Sequence, residues 1–166
     1  MSAVPLEIRR AVREDAPVLL EFIHELAQFE RLSHLLAVTE AQLVEELFGA
    51  VPGVEALLGH CGGEPAAFAI YFHNFSTFLG RRGLYLEDLF VRPAFRRRGY
   101  GRAMLAELAG IAHTRGCGRF EWAVLDWNAP AIEFYRSLGA QVLPDWRICR
   151  VTGDALARLA RERGRS

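Results

Sequence analysis

Lysine is absent: all 20 basic residues of this 166-residue chain are arginine. A phosphate loop of the Walker type, which depends on its lysine, is therefore excluded. Cysteine is scarce, with only Cys61, Cys117 and Cys149 and no C-x-x-C pair. Three unpaired, separated cysteines suit free thiols in a reducing compartment and offer no metal-ligand spacing, so no metal site is expected. No apolar run has the length of a membrane span, and the first residues lack the basic and apolar regions of a signal peptide. The expected location is the cytoplasm, with no membrane partner. Internal repeats, low-complexity tracts and Ser/Pro linkers are also missing, so residues 1–166 are expected to form one domain.

What is present is a chain that is 51% hydrophobic, enough for a well-buried core. Its net charge of zero conceals an asymmetry. Residues 1–91 carry 13 acids and 6 arginines, whereas residues 92–166 carry 7 acids and 14 arginines, so the halves balance at −7 and +7. Ordinary solvated faces account for this as well as one half meeting an anionic ligand and the other a cationic one.

Periodicity gives an α/β order. Leu6 to Val12 reads as a strand, and Asp15 as the cap of a helix whose apolar face holds Leu19, Phe22, Ile23 and Leu26. Thr39 and Gln42 form a capping-box signature for a second helix ending near Gly49. Strands are predicted over 54–58, 66–72, 84–91 and 120–125, and helices over 98–115, 129–138 and 154–163. Val142 to Val151, interrupted by Pro144, suggests one or two last strands. The pattern implies a mixed sheet flanked by helices.

The most informative stretch joins the strand Leu84–Val91 to Arg96, Arg97, Arg98, Gly99, Tyr100, Gly101 and Arg102, which open a helix. Glycines allow backbone N–H groups close to a phosphate, a helix N-terminus adds a favourable dipole, and guanidinium forks bind the same oxygens. A pyrophosphate cradle is expected; a solvated basic turn is the plain alternative. Met104 stands where a dinucleotide fingerprint needs its third glycine. The arginine run lacks aromatic interleaving, so no nucleic-acid partner is expected.

Arg96-x-x-Gly99-x-Gly101 after this strand resembles the coenzyme A loop of the GNAT N-acetyltransferases. Leu84-Tyr-Leu-Glu-Asp88, Trp127-Asn128-x-Pro130, Phe134-Tyr135, Glu25-Leu-Ala27 before Phe29-Glu30, and Thr39-Glu40 are similar to the diamine (spermidine/spermine) acetyltransferases. The likeness runs from about Ile8 to Leu159. It implies a GNAT fold and transfer of acetyl from acetyl-CoA to a small polyamine-like amine. It further implies that Leu89, Phe90 and Val91 hold the pantetheine arm, that Arg96 to Arg102 hold the pyrophosphate, and that Asn128 contacts the cofactor. Tyr135 falls at the catalytic acid, Glu87 at the base and amine contact, and Phe29 and Glu30 at substrate contacts. Asp145 stands in a shortened acidic loop, and Phe29 replaces a tyrosine of that family. A homodimer is implied as well.

The chemistry needs such residues. An alkyl ammonium with a pKa of roughly 10.4 must give up its proton at a cost of about 4.6 kcal/mol at pH 7. Glu87 can accept it, directly or through water, and the Tyr135 phenol can protonate the leaving thiolate. A strand N–H near Leu89 can stabilise the oxyanion. On alternation, Glu87 and Asp88 point to opposite faces of their strand. Two other functions remain open: acetylation of a lysine-like amino acid such as thialysine, and non-catalytic binding of acyl-CoA.

Overall fold

The computed structural model describes residues 4–164, which fall into two compact units, one up to Ala123 and one from Val124. The first holds β1 (Glu7–Arg10), α1 (Ala16–Phe29), α2 (Glu40–Phe48), β2 (Glu55–Cys61), β3 (Glu64–Ser76), β4 (Arg81–Val91), α3 (Tyr100–Thr114) and β5 (Arg119–Trp122). The five strands form one sheet in chain order. The first four are mutually antiparallel, and β5 lies parallel to β4. The expected mixed sheet flanked by helices is thus observed.

Both faces of the sheet are covered, which explains why its central strands are apolar at successive positions. Against one face, α1 and α2 bury Leu19, Phe22, Leu26, Leu43 and Leu47 on Ala56, Leu58, Phe68, Ile70 and Phe90. The rings of Phe22 and Phe68 stack at 5.1 Å there. On the other side of the strands Leu57, Tyr71 and Leu84 are fully buried, as are Met104 and Leu108 of α3, which contacts β3, β4 and β5. At the C-terminal end of α3, Arg115 clamps Glu55 through both guanidinium nitrogens, at 2.5 and 2.8 Å.

Local signals behave as their chemistry requires, with two exceptions. Thr39 and Gln42 form the reciprocal capping box at the start of α2. Asp15, expected to cap α1, makes no cap bond. Its carboxylate turns back, accepting from Val12 N at 2.7 Å and from Arg9 at 2.6 and 2.8 Å, and an ion pair outcompetes a helix N–H for it. The second exception is the tail. The unit from Val124 contains α4 (Ala129–Ser137) and α5 (Gly153–Arg161), and residues 141–151 form no strand. β-Propensity there finds no partner edge, Pro144 removes a donor, and Val142, Trp146 and Ile148 stay exposed.

Because Asp15 is buried with both Arg9 and Val12 as donors, Asp15→Ala is expected to lose about 1–3 kcal/mol in urea unfolding at pH 7. The guanidinium beside it holds the Asp15 carboxyl below its ordinary value. That stability is present above the unfolded-state pKa and disappears as pH falls through the lower folded one, so the variant and wild type should converge in acid.

Candidate active site

The site is built where β4 loses a neighbour. β5 pairs with β4 only from Gly83 to Leu86 and ends at Trp122, while β3 accompanies β4 all the way to Val91. From Glu87 to Val91, no strand among the described residues lies on the second edge of β4, which leaves ladder groups there open to a ligand. This stretch includes Leu89, Phe90 and Val91.

The β3–β4 register breaks at the same place. Asp88 lies opposite Ile70 and Leu86 opposite Tyr71, which leaves Glu87 as the extra residue of a β-bulge. One inserted residue exchanges the faces: Leu86 shares a side with Tyr71, and Asp88 and Phe90 share the side of Ile70 and Phe68, under α1. Simple alternation from Leu84 would have put all the even-numbered residues together.

The exchange carries Asp88 to the end of α1. Burial, then the negative charges of Glu87 and Glu30, push the Asp88 carboxyl up to about 7. Burial also raises Glu30. Glu87 itself is exposed on the bulge. Three carboxylates thus meet where the sequence marked only Glu30 and Glu87. Asp88 was missed because the cross-strand register that aims it is not a local property. Phe29 completes this corner: its ring lies 6.1 Å from that of Phe90, beside the half-buried Glu30.

α1 closes with a Schellman arrangement, Leu32 N donating to Ala27 O at 2.8 Å and Arg31 N to Gln28 O at 3.1 Å. Arg31 occupies the left-handed position usually given to glycine, with φ of 62°. For a residue with a Cβ this conformation costs roughly 1–2 kcal/mol.

The arginine–glycine loop sits beyond β4. Gly99 caps α3 at φ 81°, and a Cβ placed on it would meet no protein atom within 4 Å. Open space over a left-handed glycine, at a helix start whose first N–H groups lack intrahelical partners, is what an anionic group needs for close approach. The residues therefore fit a pyrophosphate. Not every arginine faces that space. Arg96 Nε donates to Val91 O at 2.9 Å, and its guanidinium lies over the rings of Phe29 and Phe90, at 4.8 and 5.2 Å. Arg98 donates to Ala94 O at 3.2 Å. Arg97, at φ 61°, and Arg102 form no ion pair among the described residues. The Tyr100 side chain is buried and donates to Val4 O at 2.6 Å, so only its backbone remains for a ligand.

In the unit from Val124, Asn128 caps α4 by accepting from Ala131 N at 3.4 Å. Tyr135 is half-buried near the end of that helix, its ring 5.5 Å from Phe134. Asp145 is exposed outside any helix or strand.

Residues 20–140 match the acetyltransferase (GNAT) family. The chain belongs to this family. An L-ornithine N5-acetyltransferase of Arabidopsis thaliana is 35% identical over 194 aligned residues, covering 90% of this chain and 85% of that protein. A thialysine N-epsilon-acetyltransferase of Bos taurus is 35% identical, covering 92% of this chain and 96% of its own length. A spermidine/spermine N(1)-acetyltransferase-like protein of Homo sapiens is 31% identical over 94% of this chain but only 24% of that longer protein. Among solved structures, an integron cassette protein from V. cholerae superposes with a TM-score of 0.78 at 29% identity, covering 96% of this chain and 98% of its own. The protein is accordingly a GNAT-type N-acetyltransferase that uses acetyl-CoA. No helix among the described residues is long and apolar enough to cross a membrane.

Gly99→Val should weaken acetyl-CoA binding at least tenfold, about 1.4 kcal/mol, in a calorimetric titration. Asp88→Asn tests the carboxylate corner. A raised folded pKa means that the carboxyl favours folding fully below its unfolded value and loses that contribution as pH rises through about 7. The variant should therefore match wild-type stability near pH 4 and exceed it above pH 7 in thermal melts of the ligand-free enzyme.

Proposed function

We propose that this GNAT enzyme acetylates the side-chain amine of a small diamino acid of the ornithine or thialysine type. The observation that carries the reading is the carboxylate corner, in which Glu30, Glu87 and Asp88 gather at the bulge beside the open edge of β4. Such a corner suits an ammonium that must be bound and then deprotonated. The relatives named for ornithine and thialysine align over most of their own length and support an amino-acid acceptor. A polyamine or diamine is the second reading, supported by the acid-rich corner and by the more partial human relative.

In this mechanism the acceptor ammonium gives its proton to the corner. Glu87 has the access, and Asp88, with its pKa near 7, has the basicity suited to a neutral-pH base. The neutral nitrogen attacks the thioester carbonyl, whose oxygen is held by a backbone N–H on the open edge of β4 near Leu89. The new N–C bond forms, the C–S bond breaks and the thiolate takes the phenolic proton of Tyr135, while the second proton that the nitrogen loses on becoming an amide passes through water to restore the phenol. Arg97, Arg102 and the first N–H groups of α3 neutralise the pyrophosphate. Arg96 steadies the loop from the Phe29 side, and Asn128 fixes the start of α4. Phe29 offers an apolar wall to the acceptor's methylenes, and Asp145 a further acid for a second ammonium. The setting is cytoplasmic and the assembly a homodimer, as the family likeness implies; exposed Trp146, Leu156 and Leu159 give it apolar surface.

Turnover with ornithine, thialysine, lysine, spermidine and 1,4-diaminobutane decides the acceptor. Side-chain acetylation of ornithine or thialysine at the highest kcat/KM is expected; a clear preference for spermidine would reverse the order of the two readings. Tyr135→Phe should keep acetyl-CoA affinity and lower kcat by about 10²–10⁴-fold where chemistry limits. A near-wild-type kcat would reduce Tyr135 to packing.

A further inference from the structure

We infer that Arg92 is a positioning residue for acetyl-CoA: it fixes the end of β4 and the entry of the arginine–glycine loop against α1, and leaves the open edge of the strand clear. The inference rests on the reading of that loop as the pyrophosphate cradle. The problem it answers is set by the sheet. Past Leu86, β4 is laddered only to β3, yet Leu89 to Val91 and the turn after them have to meet a ligand in one fixed geometry. A further strand would steady this end and also consume the ladder groups that the ligand needs. A side-chain clamp steadies it and consumes none of them.

Arg92 directly follows Val91 and makes the contacts of such a clamp. Its backbone N donates to Ala66 O at 3.0 Å, which carries the pairing with β3 one residue further. Nε donates to both oxygens of Glu25, at 3.0 and 3.1 Å, and Nη1 donates to Pro65 O at 3.0 Å. Nη2 pairs with Glu25 at 2.8 Å and with Glu21 at 3.3 Å. The guanidinium lies 4.2 Å over the ring of Phe22, which is fully buried and stacked on Phe68. All three guanidinium nitrogens are therefore committed, over a packed aromatic floor.

The sequence of α1 supplies the other half of the clamp. Glu21 and Glu25 stand four residues apart on one helical face, where like charges weaken a helix unless a cation joins them. Arg92 is that cation. An ammonium would neutralise the same pair, but a point charge lacks the rigid fork that also reaches Pro65 O. The restraint thus depends on the shape of arginine as well as on its charge.

The experiment measures acetyl-CoA affinity by calorimetry, at a temperature where melting curves show each variant fully folded. Arg92→Met keeps a long apolar stem for Phe22 and removes every donor, whereas Arg92→Lys keeps the charge without the fork. Asp15→Ala, which weakens the fold at the start of α1, is the stability control. Arg92→Met is expected to lose affinity roughly tenfold or more, Arg92→Lys to fall between it and wild type, and Asp15→Ala to bind as wild type does. An Arg92→Met affinity within about twofold of wild type overturns the inference. So does an equal loss in Asp15→Ala, which would make the effect one of stability alone. Gly99→Val, titrated alongside, separates the two readings. Affinity lost in Gly99→Val but kept in Arg92→Met overturns the clamp alone, and affinity kept in both overturns the cradle with it.

Discussion

Everything at the site depends on what happens to β4 between Leu86 and Asp88. Up to Leu86 this strand is bonded on both edges; beyond it only β3 remains. Within the same two residues the bulge at Glu87 exchanges the faces of the strand. Either event alone would be of limited use. An open edge without the bulge would offer backbone groups to a ligand but turn Asp88 toward Tyr71 and α3. A bulge within a fully paired strand would place the carboxylates beside a ladder with no room for a thioester. Together they put acid groups and free backbone donors around one short stretch, which is the combination that acyl transfer to an amine demands.

The surrounding arginines show how that stretch is kept in place. Arg92, the residue after β4, pairs with Glu25 at 2.8 Å and Glu21 at 3.3 Å, lies 4.2 Å over the Phe22 ring, and donates to Pro65 O. Arg96 repeats the device four residues later with Val91 O, Phe29 and Phe90. Arg92 is partly buried, stacks on a ring and satisfies several acceptors, so it is worth more than an exposed ion pair, because its position is fixed and its charge is poorly screened; Arg96 is exposed and adds ring contacts and one acceptor. Both arginines hold the entry of the loop against α1. This ties the arginine–glycine loop mechanically to the C-terminal half of α1.

Much of this was legible in the sequence, and the limits have physical causes. The strands, the Thr39–Gln42 box and the Gly99 turn are local, decided by residues within one turn or one strand of each other. Glu30 and Glu87 were visible as acids in apolar surroundings. Asp88 was visible too, as an acid on the face opposite Glu87, but its place under α1 was not, because alternation assumes an unbroken register and the bulge exists only in relation to β3. The six basic and glycine positions of the loop were read as one cradle. Their division into braces and free cations depends on where Phe29, Phe90 and Val91 O stand in space. The strands expected within 142–151 failed for a similar reason: propensity proposes a strand, but a neighbouring edge is needed to make one.

The charge asymmetry takes on a different meaning once the fold is known. Divided by sequence, the acids and arginines looked like two halves facing two ligands. In the structure the carboxylate corner and the arginine loop belong to the same unit and adjoin the same strand, from Glu87 at one end of the open edge to Arg96 just past the other. Distance does not hold the two signs apart, for the Arg96 guanidinium lies 4.8 Å over the ring of Phe29, the residue before Glu30. What occupies Arg96 is its own set of contacts: Nε donates to Val91 O, and the guanidinium lies over the rings of Phe29 and Phe90. It forms no ion pair among the described residues. Leu89, Phe90 and Val91 carry no charge, so the middle of the open edge suits an uncharged group.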